Sequence, residues 1–444
     1  MLFSKKDLRK LVVPLLIEQL LAILVGMIDT IMISSVGEAA VSGVSLVDTL
    51  NILLIGLFSA LATGGAVVAG QFLGQKKEKE ACKAAEQLVL VVLSFSLGLM
   101  LIMIVFRTWI LKGVFGNIET DVERNARVYF MITTLSIPAL AVYNACAALF
   151  RAMGNAKVTM WISLGMNGMN FIGNGILIYG CSLGTAGAAC ATSLSRLGAA
   201  IVIMVLIFQE ERIIHLDKKI RLSFQKDLVK KILLIGIPNG LENSMFQLGK
   251  IIVLSLISSF GTYAIASNAV AGTITTFNVL PGTAIGLAMV SVISVCVGAD
   301  DFEQAKYYTK KLLFLIYAFI WCLSILIFIL APWIVTLYHL TKDTAEITVK
   351  LMRYHALCAA AIWPLSFSLP NTFRAANDVK FTMGISVFSM WIFRIAASYA
   401  LGQRFGLGVF GVWIAMTIDW LFRTICFSVH YIKGKWQLHY KKVS

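Results

Sequence analysis

Charge is scarce in this chain. Asp, Glu, Lys and Arg make up 14% of 444 residues, against 59% apolar residues. That leaves too few polar side chains to cover a water-soluble globule of this size, so a soluble fold is excluded. The eight cysteines form no CxxC pair and have no His at ligand spacing, so neither a zinc site nor a disulfide framework is supported. They read as small apolar packing residues. No small-residue cleavage site follows the first apolar run, which is also too long for a signal peptide, so it is expected to stay as the first helix. Basic and aromatic residues do not interleave as nucleic-acid binding requires. Apart from 209–231, connections are short, which leaves no room for a soluble catalytic domain.

What the chain has instead is apolar runs, about twelve of them, each near the roughly 20 residues that span a bilayer core as helix. They lie near 11–36, 44–73, 86–111, 126–150, 158–180, 186–208, 230–259, 266–298, 311–340, 350–373, 381–401 and 409–431. The runs repeat. Pro14 and Glu18 return as Pro238 and Glu242, and a shift of 224 residues also carries Gly37 onto Gly261, Gly184 onto Gly408 and Gly187 onto Gly411. With one residue of slippage, FRAMGNAKVTM from Phe150 aligns with FRAANDVKFTM from Phe373. The expected fold is an all-α integral membrane protein, with twelve transmembrane helices in two six-helix lobes related by the repeat. The lobes are expected at 1–208 and 232–444, joined by a charged cytoplasmic linker at 209–231.

The net charge of +15 follows membrane topology. With a cytoplasmic N-terminus, that side receives Lys5, Lys6, Arg9, Lys10, Lys76, Lys77, Lys79, Lys83, Arg151, Lys157, the linker bases including Lys218, Lys219 and Arg221, and Arg374, Lys380, Lys433 and Lys435. The far side keeps only eight bases, among them Arg107, Arg124 and Arg353. By the positive-inside rule both termini face the cytoplasm of a cell membrane protein. The bilayer itself is the only obligatory partner this pattern implies.

An ionisable residue in an apolar helix is costly, so it is paired, faces a cavity or snorkels. Asp29 lies about 27 Å along the first span, and Glu18, about 16 Å nearer the cytoplasm, shares its face to within about 20°. A carboxylate with little access to water can exchange a proton or take sodium with neutral oxygen co-ligands, so Asp29 is also the candidate metal ligand. Asn170 and Asn174, one turn apart, and Thr192 are its candidate companions; ordinary interhelical hydrogen bonding is the alternative use of such residues. At the same positions the second lobe has Val253, Arg394, Ser398 and Met416. It carries Glu242, Gln247, Lys250, Asp419 and Arg423, a mixture of signs that suggests compensating pairs. Glu242 is a candidate cavity acid for an organic cation, with Met245, Phe246 and Phe277 packing an apolar body. His339 and His355 read as interfacial.

MIDTIMIS around Asp29, FLGQKKEKEA, FRAMGNAK and GTAGAACAT, with the later GIPNGLENSMFQLGK, FRAANDVK and GVFGVWIAMT, resemble multidrug and toxic compound extrusion (MATE, multi-antimicrobial extrusion) transporters. The resemblance covers nearly the whole chain. It implies alternating access and efflux of organic, often cationic, compounds against protons or sodium, with no cofactor. Asp29 matches the family's first-helix acid, Asn170 and Asn174 its Asn-x-x-x-Asp pair, and Thr192 its sixth-helix threonine. Asn174 stands where that pattern has a second acid. A lipid-linked precursor flippase of the same superfamily is the alternative, suited by a more cationic cavity that Lys250 and Arg394 allow. A membrane-embedded transferase would need a His or acid constellation that is not evident.

Overall fold

The computed structural model describes residues 2–115, 119–217 and 223–443, and its regular elements are all helical. Lys218, Lys219 and Arg221 of the expected linker lie outside the described residues. The helices are α1 (Lys5–Ser34), α2 (Glu38–Gly74), α3 (Glu78–Val105), α4 (Arg107–Phe115), α5 (Thr120–Leu135), α6 (Ile137–Ala152), α7 (Ala156–Asn174) and α8 (Gly184–Ile207). They continue as α9 (Lys226–Ser258), α10 (Thr262–Gly298), α11 (Phe302–Thr336), α12 (Lys342–Trp363), α13 (Pro370–Ala375), α14 (Val379–Ser389), α15 (Ala397–Tyr399), α16 (Gly408–Ile432) and α17 (Gln437–Val443). Wider π turns fill Gly175–Gly180, Pro364–Ser368, Met390–Ala396 and Ala400–Arg404.

Each of the twelve apolar runs lies within these helices and the turns that link them, so the architecture is the expected twelve-span, two-lobe bundle. Among the described residues, eight helical stretches, counting α14 and α15 with their π turns as one (Val379–Arg404), are long and apolar enough to cross a bilayer, and α5 with α6 makes a ninth span bent by 50°. That bend follows Ser136, where Pro138 in the first turn of α6 cannot donate to the preceding helix. The other three spans are α7 with its π turn, α9 and α12 with its continuation. Charged first turns (Lys226, Asp227, Lys230; Lys342, Asp343, Glu346) and polar interiors lower their hydropathy.

Contacts divide the chain into two compact units, Ser4–Gly240 and Leu241–Ser444 with Met1–Phe3. The division falls inside α9, two residues past Pro238. In the first unit α1 packs on α7, α2 on α3, α5 and α6, and α8 on α5, α6 and α7. In the second, α10 packs on α11, α12 and α13, and α16 on α12 and the neighbouring π turns.

Backbone details recur with the same 224-residue shift. Gly184 and Gly408 open α8 and α16 at φ +53° and +57°, a left-handed conformation that a Cβ disfavours. A Cβ on Gly187 would stand 2.9 Å from the Leu177 backbone, and one on Gly411 2.8 Å from that of Leu401. Small residues here let helices touch through their backbones.

The closest such approach to a backbone atom is not repeated. A Cβ on Gly64 would meet the Ile232 carbonyl oxygen at 2.6 Å. Gly64→Ala is therefore expected to cost about 1–3 kcal/mol by overpacking and to lower the melting temperature in detergent. Gly26→Ala, where nothing lies within 4 Å, should not; equal melting of the two would contradict this packing.

Candidate functional site

The structure brings the first-lobe candidates together. Asp29 sits near the end of α1, beside the last turn of α7, where Asn174 precedes the π turn of Gly175–Gly180. Asn174 Nδ2 donates to Asp29 Oδ1 at 2.9 Å. Asn170, one turn back, adjoins both. Turned so that acceptor does not face acceptor, its amide nitrogen lies 2.7 and 3.0 Å from the two Asp29 oxygens, and its oxygen accepts from Thr192 Oγ1 at 3.1 Å. Asn170 and Asn174 are buried while Asp29 is half-buried, so the carboxylate is the more accessible member of the group. Asn174 Oδ1 is buried and has no hydrogen-bond partner, which leaves one acceptor in reserve beside the acid.

The sequence reading passes over two residues that belong to this cluster. Asp48 of α2 is close enough to Asp29 for the two carboxylates to repel each other. It accepts from Asn51 Nδ2 at 3.1 Å and from the Tyr129 hydroxyl at 3.3 Å. Arg196 of α8 lies within electrostatic reach of Asp48 and donates to Ser136 Oγ at 3.2 Å. A second acid thus lies within electrostatic reach of Asp29, supplied by α2 where the familiar pattern would put it on α7, and the Arg196 guanidinium lies within reach of that acid. Both are ionisable residues inside apolar runs, which is the signal that could have found them.

Glu18 and Glu242 occupy different surroundings from Asp29. Glu18 accepts from Thr159 Oγ1 at 2.8 Å and lies 3.8 Å from Arg151 Nη1. Glu242 accepts from Ser386 Oγ at 2.7 Å and pairs with Arg374 Nη2 at 2.9 Å. These are one construction used twice: the repeated Pro-x-x-x-Glu of the first helix of each lobe meets the Arg of the repeated FRA motif. Removing one partner of a buried ion pair leaves an uncompensated charge, at a cost of about 3–5 kcal/mol. Arg374→Ala is expected to lower thermal stability more than Arg151→Ala, because the second pair is hydrogen-bonded and the first is wider. The reverse order in a detergent melt would contradict it.

The remaining second-lobe candidates separate. Glu242, Met245 and Phe246 line one cavity of about 310 Å³, together with Trp363, Phe367, Met390 and Arg423. Lys250 adjoins it, its ammonium 4.9 Å from the centre of the Phe246 ring. Gln247 and Phe277 are partly buried and are not in that lining. The charges pair as the mixture of signs suggests: Arg423 Nε donates to Asp419 Oδ1 at 2.9 Å, and Arg394 Nη1 stands 4.0 Å from Asp419 Oδ2. His355 is not interfacial. It is 4% exposed, with its ring edge-on to Trp413 and Trp420. All eight cysteines are free thiols.

A helical membrane bundle built as a tandem repeat, with a buried acid and amide cluster in one half and a lined cavity in the other, has the construction of a secondary transporter. The MatE family model matches the chain twice, at residues 14–176 and 238–400, again 224 residues apart. The chain belongs to the MatE family of membrane transporters. It is 28% identical over 410 residues to an uncharacterized transporter, YisQ, of Bacillus subtilis, covering 91% of this chain and 89% of that protein. It is 23% identical to a probable multidrug resistance protein NorM of Thermotoga maritima, covering 98% and 93%. A crystal structure of a MATE protein in its bent conformation superposes with a TM-score of 0.89, at 18% identity over 99% of this chain and 97% of that one. The fold is therefore the MATE fold.

Proposed function

We propose that the protein is a cation-coupled antiporter that exports small organic compounds by alternating access, with Asp29 holding the coupling ion. The observation that carries this reading is the Asp29 carboxylate set against the Asn170 and Asn174 amides inside membrane-spanning helices. With amide nitrogens turned toward it, the carboxylate is stabilised while empty. A proton on Asp29 needs an acceptor, and a sodium ion needs oxygens, so either cation asks the same amides to present Oδ1 instead. Rotation about side-chain bonds supplies that change without moving a helix. Ion binding then favours one arrangement of the lobes and substrate binding the other, which is sufficient for coupling.

The names of relatives such as the probable multidrug resistance protein of Thermotoga maritima support small organic compounds as cargo. The distribution of basic residues supports the plasma membrane, with both termini cytoplasmic. Lobes at 1–208 and 232–444 would be the moving bodies, with 209–231 between them. The expectation of cationic cargo came from the family resemblance and from Glu242 as a candidate cavity acid; the Glu242 charge is answered by Arg374 at 2.9 Å, so that residue no longer argues for it.

The test is uptake of a fluorescent organic dye by inside-out vesicles, with a proton gradient and a sodium gradient imposed separately. Cationic, zwitterionic and anionic dyes are run in parallel. Accumulation driven by one gradient and abolished by its collapse is expected. Gradient-independent equilibration of every dye would overturn antiport.

A further inference from the structure

The two halves of the repeat differ in charge at matching places. Asn170, beside Asp29 in the first unit, corresponds to Arg394 in the second, and Asp29 itself corresponds to Val253. Around one aromatic ring of the second unit, Phe246, three cations converge: Lys250 Nζ at 4.9 Å, Arg423 Cζ at 5.5 Å and Arg394 Cζ at 5.9 Å from its centre. One acid answers them. Asp419 binds Arg423 at 2.9 Å and lies 4.0 Å from Arg394, while among the described residues no carboxylate comes within ion-pairing distance of Lys250. Three cations against one carboxylate leave two positive charges in excess. Widening the view to Glu242 changes nothing, because Arg374 already neutralises it.

Such an excess inside membrane-spanning helices is costly unless a counter-anion relieves it. Lys250 is an exposed residue, whereas the Arg394 and Arg423 side chains are 11% and 3% exposed, so Lys250 is the most accessible of the three. Among the described residues, Arg394 Nε is a buried donor with no partner, a position that an incoming acceptor would satisfy. The ring shared by the three cations lines the cavity of about 310 Å³, and Phe367 and Trp363 line it too, stacked on each other at 5.1 Å. Aromatic faces lining a cavity, with unanswered cations gathered around one of those rings, Phe246, suit a solute with an aromatic body and an anionic group.

We infer that the second unit holds an anion-recognising subsite, in which Lys250 and Arg394 take the carboxylate, sulfonate or phosphate of a small aromatic solute packed on Phe246. This deepens the export reading and rests on it for the solute's fate. Binding itself needs no gradient, so the two ideas fail separately.

The experiment is equilibrium binding to the purified full chain in phosphatidylcholine nanodiscs. The probes are radiolabelled para-aminohippurate, 1-naphthalenesulfonate and 1-naphthyl phosphate, with tetraphenylphosphonium as the cationic comparison. Saturable binding of at least one anion is expected, at least tenfold weaker in Lys250→Gln and largely kept in Lys250→Arg, with tetraphenylphosphonium binding no weaker in either. The Lys250→Gln protein should melt no lower than wild type, because it removes an unpaired cation; where it melts lower, Lys250→Met replaces it.

Three results would overturn the subsite. One is that no anion binds saturably; another is that anion binding is unchanged in Lys250→Gln. The third is that only discs containing phosphatidylglycerol show Lys250-dependent occupancy, which would assign the cations to a lipid headgroup.

Discussion

Asp29→Asn is expected to insert, fold and melt like the wild type, yet to lose gradient-driven accumulation down to the level seen with the gradient collapsed. The substitution is nearly isosteric and Asp29 is half-buried, so packing is kept. What disappears is the charge that an ion must neutralise. Coupling between two ligands is typically about 1–3 kcal/mol, or roughly 5–150-fold in affinity, and an amide at position 29 removes the ion's side of that exchange entirely. Asn174→Ala is expected to weaken coupling without abolishing it, because the carboxylate and Asn170 stay while one amide, with its 2.9 Å donor and its reserve acceptor, is lost. Retained accumulation in Asp29→Asn would exclude this residue from coupling and turn attention to Asp48, the other acid of the cluster.

Asp419→Leu is expected to be the most destabilising single change in the second unit. Asp419 is fully buried, Arg423 is 3% exposed, and Ser389 Oγ also donates to the same carboxylate. Arg423 is further held by the Ser386 carbonyl at 3.2 Å. An orphaned buried charge costs about 3–5 kcal/mol, a large part of the roughly 5–15 kcal/mol that typically separates folded from unfolded protein. The yield of monodisperse protein and its melting temperature should both fall sharply. The double variant Asp419→Leu/Arg423→Met should recover part of the loss, because it removes the orphaned Arg423 charge and leaves only Arg394, 4.0 Å from Asp419 in the wild type, without its acid. If Asp419→Leu melted with the wild type, or the double variant melted below the single one, the pair would not carry this load.

Asp29, Asn170, Asn174 and Thr192 were legible as one group because each departs from an apolar background and the repeat singles them out as unmatched. Glu18 and Glu242 were visible for the same reason, but their use was not: the arginines that hold them stand 133 and 132 positions further along the chain. Asp48 and Arg196 were as conspicuous as Asp29 by composition, and only their neighbours make them part of its site. His355 illustrates the same limit, since a histidine near the start of a span reads as interfacial until two tryptophans from α16 enclose it.

By itself, then, the sequence determined the membrane class, the twelve spans, the tandem repeat and the places where polar residues interrupt apolar helices. All of these follow from hydropathy and spacing, which are properties of the chain read in order. The tertiary structure alone decided which charges neutralise one another, that α2 brings a second acid within electrostatic reach of Asp29, and that three cations gather around the Phe246 ring. The energy of a buried ionic group depends on what lies within a few ångströms of it, and those neighbours come from helices far apart in sequence.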